Sequence, residues 1–70
     1  MKYLDYLYVR IYSDLEDSVI FLTEDQAIHA SIRNPNCRVE VFEKAFDLNG
    51  DFNGYISTHS YYKNGVLYTK

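Results

Sequence analysis

From Tyr3 to Tyr12 the chain reads Tyr-Leu-Asp-Tyr-Leu-Tyr-Val-Arg-Ile-Tyr, with apolar residues at odd and even positions alike. A strand with one face in water alternates apolar and polar side chains, whereas a strand covered on both faces is almost continuously apolar. The β-branched and aromatic content, uninterrupted by Gly or Pro, predicts a strand, and the pattern predicts cover on both its faces. Ser13 to Asp17 is polar and turn-prone. Ser18 to Leu22 then predicts a short second strand, pairing with the first as an antiparallel hairpin.

Thr23 opens the clearest local signal. Thr23 with Gln26 three residues on fits a capping box, and Glu24 and Asp25 put negative charge in the first turn of a helix. Ala27, Ile28, Ser31 and Ile32 recur at helical spacing as one narrow apolar stripe. Asn34-Pro35-Asn36 ends the helix, because the residue before proline avoids the helical region.

Cys37 to Phe46 predicts a third strand, with Cys37, Val39, Val41 and Ala45 on one face. Arg38, Glu40, Phe42, Lys44 and Phe46 form the other, a mixed and partly wet face. Asp47 to Gly54 reads as a loop and Tyr55 to Tyr62 as a fourth strand. Lys63-Asn64-Gly65 is a tight turn carrying the Asn-Gly hairpin signal, and Val66 to Thr69 closes the sheet. The expected fold is a single α+β domain over residues 1–70, in the order β-β-α-β-β-β. One short helix packs on one face of a small, mostly antiparallel sheet. Such a helix covers one face of the first strand, so a partner is expected on the other.

Composition narrows the kind of partner. The chain has 70 residues, 47% hydrophobic and 24% charged, which places it with folded proteins. Domains below roughly 70–80 residues usually need a staple: disulfides, a metal or oligomerisation. Cys37 is the only cysteine, so an intrachain disulfide is excluded and a cysteine-based zinc site is implausible. Self-association is the staple left, and the sequence predicts a homodimer, with another protein as the alternative partner and exchange of the first strand between copies left open. Eight tyrosines and four phenylalanines supply amphipathic contact area of the kind enriched at interfaces. The expected interface is Leu4, Tyr6, Tyr8 and Tyr12, which share one face of the first strand. No apolar run nears the ~18 residues of a membrane span, and the N-terminal residues lack the apolar stretch of a signal peptide. A soluble, intracellular, non-secreted protein is expected.

Net charge is −3 and unevenly spread: −4 over residues 1–25, −1 over 26–51 and +2 over 52–70. The basic, tyrosine-rich tail gives the rival reading of a nucleic-acid-binding module, contacting its ligand through Tyr61, Tyr62, Lys63, Tyr68 and Lys70. Against it, an acidic chain pays electrostatically to approach phosphates. Catalytic and metal readings fail on the residues. Asp47-Leu48-Asn49-Gly50-Asp51 starts like a calcium loop, but Phe52 occupies the place of the turn glycine and Thr58 that of the bidentate glutamate. His29, His59 and Cys37 match no ligand spacing, and Cys37 is in phase with Val39 and Val41 as a small buried side chain. Glu40 and Glu43 lie on opposite strand faces. No enzyme, cofactor, metal site or small-molecule substrate is expected.

The stretches Val19–Ala27, Asn34–Lys44 and Gly54-Tyr55 through Tyr61-Tyr62-Lys63-Asn64-Gly65 resemble short uncharacterised proteins of large DNA viruses of amoebae, especially the marseillevirus group. The resemblance runs over most of the chain as a pattern. It implies a setting: a small protein made in the infected cell's cytoplasm, and a candidate for packaging in the virion. It implies no catalytic residue.

Overall fold

Hydrophobic alternation and the Thr23 cap build six elements: β1 (Tyr6–Ile11), β2 (Val19–Phe21), α1 (Glu24–Arg33), β3 (Arg38–Phe46), β4 (Phe52–Lys63) and β5 (Val66–Tyr68). The computed structural model describes residues 3–11 and 19–69. The strands form one antiparallel sheet in the order β2-β1-β3-β4-β5, with the helix on one side, a small α+β fold in the expected element order.

The cap forms as the sequence reads. Gln26 N–H donates to Thr23 Oγ1 at 3.2 Å. The Gln26 side-chain oxygen accepts from the N–H of Leu22, one residue before the cap. At the other end, Asn34 donates both its backbone N–H and its side-chain amide to Ala30 O, which stops the helix before Pro35.

The buried helical residues are Ala27, Ala30 and Ser31, which corrects the expected stripe. Ala30 takes the place of Ile32, which is 54% exposed. Spacings of three and four residues put Ala27, Ala30 and Ser31 on one line, and small side chains there let the helix lie close on large ones. Those are Tyr8, Val39 and Tyr62, which with Ala27 and Ala30 form the core, flanked by Phe21, Ile28 and Val41.

The β4–β5 turn is tied under the helix. Asn64 (φ 51°) and Gly65 (φ 80°) are both left-handed, as a two-residue hairpin turn requires. Gly65 N–H donates to Ser31 Oγ at 2.9 Å, and that hydroxyl donates to Ile28 O at 2.7 Å.

The largest boundary differences from the sequence reading are in β1 and β4. β1 is shorter than Tyr3–Tyr12, and Tyr12 itself lies outside the described residues. β4 starts at Phe52, three residues early, because pairing continues through Phe46↔Phe52 past Gly54 (φ 96°) at a register shift. The remaining loop is Asp47–Asp51. Asp47 Oδ1 accepts from the N–H groups of Asn49 and Asp51, so this carboxylate organises the turn itself.

Candidate functional site

Register fixes which side chains share a face. β1 pairs with β3 as Leu7↔Phe42, Tyr8↔Val41 and Val9↔Glu40, and with β2 as Tyr8↔Phe21 and Val9↔Ile20. Strand side chains alternate, so Tyr6, Tyr8 and Arg10 face the helix side, and Leu7, Val9 and Ile11 face away. Tyr8 is only 8% exposed beneath the helix. Of the expected interface Leu4, Tyr6, Tyr8 and Tyr12, this corrects one member: Tyr8 belongs to the chain's own core. Leu4 and Tyr6 are exposed. Tyr6 shares the helix side but lies beyond the core.

No described helix lies over the opposite face of the sheet. There Ile20, Val9, Leu7, Ile11 and Phe42 form a continuous apolar area on β2, β1 and β3. Toward β5 the face turns aromatic and basic. Tyr61 and Tyr68 stack with ring centroids 5.3 Å apart, and the Arg38 guanidinium lies 5.3 Å from the Tyr61 centroid. At the far end Tyr3 stacks on Phe52 at 3.8 Å, and Phe52 meets Tyr55 edge-on. Polar groups between them pair internally. Lys44 bridges Asp5 at 2.9 Å, and Ser57 Oγ donates to Glu40.

The tail residues divide in the same way. Tyr61, Lys63 and Tyr68 sit on the helix-free face, whereas Tyr62, 6% exposed, is buried against the helix. Tyr62 is therefore removed from the expected nucleic-acid contacts, and Lys70 lies outside the described residues. The Tyr62 hydroxyl is pushed up to about 12 by burial, with a hydrogen bond to Glu24 and that carboxylate's charge adding to it. Burial, then Glu24 and Tyr6, raises Tyr8 as well.

Sequence reasoning missed a bulge in β4. His59 has φ 66°, a left-handed backbone uncommon for a non-glycine residue. Ser57 Oγ accepts the His59 N–H, and Thr58 Oγ1 accepts that of Ser60 while donating to Val41 O. Three β4 residues thus oppose one residue of β3, and the Ser-Thr pairing around His59 was the only signal. Cys37 is buried with a free thiol, and His29 lines a shallow cleft with Arg10, Arg33 and Phe21. Among the described residues no group of three or more His, Cys, Asp or Glu side chains gathers. Nor is any helix among them long and apolar enough to cross a membrane. Compared with protein families, with characterised proteins and with solved structures, the chain matches none.

Proposed function

We propose that this chain is a non-enzymatic association module that pairs with a second copy of itself through the helix-free face of the sheet. The observation that carries the reading is the apolar area of Leu7, Val9, Ile11, Ile20 and Phe42, set on the face opposite the single helix. Five strands of three to twelve residues, 33 in all, at ~4.8 Å spacing and ~3.3 Å per residue give a face of roughly 500 Å². Two such faces stacked together hide about 1,000 Å², enough for a modest interface. A domain this small also gains most from a partner, since alone it buries only about 60% of its unfolded surface. The reading puts pairing on the aliphatic side of β1, in place of the expected tyrosine side, because Tyr8 is already buried in the core. In the setting the resemblance implies, the pair acts in the infected cell's cytoplasm or within the virion.

Size-exclusion chromatography with light scattering tests this, with twice the 8.3 kDa chain mass expected at micromolar concentration. Val9→Lys, at the centre of the area, should yield a folded monomer by circular dichroism. A wild-type monomer, or a folded Val9→Lys dimer, overturns the assignment.

A second reading is favoured by one arrangement, the Arg38–Tyr61–Tyr68 stack with Lys63 beside it on the same open face. Exposed rings with cations are how single-stranded nucleic acid is held. Fluorescence anisotropy with single-stranded oligonucleotides at low salt decides it. Salt-sensitive binding lost in Lys63→Glu supports this reading, and no binding at high micromolar protein retires it.

A further inference from the structure

We infer that two copies stack with their central strands antiparallel, about a two-fold axis that crosses β3 at Phe42, and that Glu40 of each copy pairs with Lys44 of the other. The inference rests on the self-association proposed above and gives it an orientation. β3 is the third of five strands in the sheet, and Phe42 is the fifth of its nine residues. The middle of the helix-free face is therefore Phe42, with Leu7 directly beside it on β1. Both are apolar and both lie where the axis passes, so each packs on its own counterpart.

The charges along the same face select this arrangement. Alternation puts Arg38, Glu40, Phe42, Lys44 and Phe46 on the open side of β3. A two-fold contact is self-complementary: where residue i meets residue j, j meets i. Reversing the strand about Phe42 sets Glu40 over the partner's Lys44 and Arg38 over the partner's Phe46, each contact being made twice. Phe46 is 57% exposed, and a guanidinium over a ring is attractive. Packed sheets lie ~10 Å apart with their strands within ~30° of each other, a gap that facing glutamate and lysine side chains span. Glu40 already accepts from Ser57 Oγ, and Lys44 already bridges Asp5 at 2.9 Å. These contacts hold the two side chains in place. Each keeps capacity for another, since a carboxylate offers about four acceptor sites and an ammonium about three donors.

Other arrangements waste or oppose the same charges. Parallel stacking of β3 on its counterpart puts Glu40 on Glu40 and Lys44 on Lys44. An axis at Val41 sets Arg38 against the partner's Lys44, and an axis at Glu43 leaves Glu40 facing the negative face of the partner's Phe46 ring. An axis at Val39 does pair Arg38 with Glu40, but it overlaps only the first residues of β3 and takes Phe42 and Leu7 away from the centre. Taking charges out of water without opposite partners is strongly unfavourable. Charge therefore decides among arrangements that the apolar area alone would allow.

The test is a charge exchange read by light scattering across a range of protein concentration, with folding checked by circular dichroism. Glu40→Lys places two cations in each contact and Lys44→Glu two carboxylates. Each variant should dimerise at least about tenfold more weakly than the unchanged chain. Mixed one to one, the two variants restore opposite charges in both contacts, and the mixture should pair at least about tenfold more tightly than either alone. Within one chain residues 40 and 44 lie ~13 Å apart along the strand, so such a recovery arises between copies. Lys44→Glu sets a second carboxylate beside Asp5. If that change unfolds the chain, Glu40→Gln and Lys44→Gln carry the question in a double-mutant cycle: the double variant should lose less than the product of the two single losses. Single losses that simply multiply overturn the inference. A chain that is monomeric before any change overturns the association reading and the orientation with it. A dimer that Glu40→Lys leaves intact, or a mixture no tighter than its components, overturns the orientation alone.

Discussion

Ser31→Ala tests how the helix is joined to the sheet. Ser31 is fully buried, and its hydroxyl joins the interior of α1 to the Asn64-Gly65 turn by a hydrogen bond. The change deletes the donor to Ile28 O and the acceptor of the Gly65 N–H. Leaving a partly buried N–H without its acceptor costs about 1–3 kcal/mol. Alanine returns about 0.5 kcal/mol through helix propensity, so a net loss of about 1–2 kcal/mol is expected. A domain of this size has about 4–10 kcal/mol in all, and the loss is a large share. With a urea m-value of about 1 kcal/mol/M, the midpoint should fall by about 1–2 M at unchanged m. Urea unfolding followed by circular dichroism at fixed protein concentration reads it. Hydrogen exchange adds a local readout, since the Gly65 amide should lose protection beyond the global change. An unchanged midpoint, or Gly65 exchange that merely tracks global stability, would refute the reasoning.

Other changes read other parts of the fold. Gly65→Ala should destabilise more than Gly50→Ala, because both have φ near 80° but only at Gly65 does an added Cβ come within 3.0 Å of Ile32. Thermal midpoints of the two variants check this order. Tyr62 is raised from its ordinary value to about 12, so the folded chain holds that proton longer than the unfolded chain does. Its contribution is complete below about pH 10 and lost as pH climbs toward 12. Tyr62→Phe should flatten the alkaline decline in unfolding temperature, and an unchanged slope would count against it. Thr23→Ala removes the acceptor for Gln26 N–H and should cost about 1 kcal/mol, measured by urea unfolding.

The local signals in the sequence were sufficient wherever short-range chemistry decides structure. Thr23 with Gln26 started the helix, Asn34-Pro35 ended it, and Asn64-Gly65 made the hairpin. The side of β1 that the helix would cover was not legible, because a strand apolar on both faces offers two equal registers. Packing across elements decided it. The small residues Ala27, Ala30 and Ser31 need large rings opposite, and Tyr8 and Tyr62 supply them, while Leu7 and Val9 do not lie in line with Tyr62. That same pairing fixed Ala30 and not Ile32 on the buried stripe. The β4 bulge is hard to read for another reason: the Ser57 and Thr58 hydroxyls that bond the backbone around His59 are a weaker turn signal than glycine or asparagine.

The two faces of the sheet now differ in chemistry as well as in cover. The helix side gathers rings and the carboxylates Glu24 and Glu43, whereas the open side gathers aliphatic residues with Arg38, Lys44 and Lys63. Copies that stack through the open side leave each tyrosine groove pointing outward, so a change on the helix side should leave pairing alone, since sites on opposite faces with no shared partners add. Glu43→Gln puts this to measurement: its monomer–dimer equilibrium should equal that of the unchanged chain, whereas Val9→Lys should yield the monomer. Were Glu43→Gln by itself to shift the monomer–dimer equilibrium, the contact would have to include the tyrosine side of β1, and the proposed pairing face would fail.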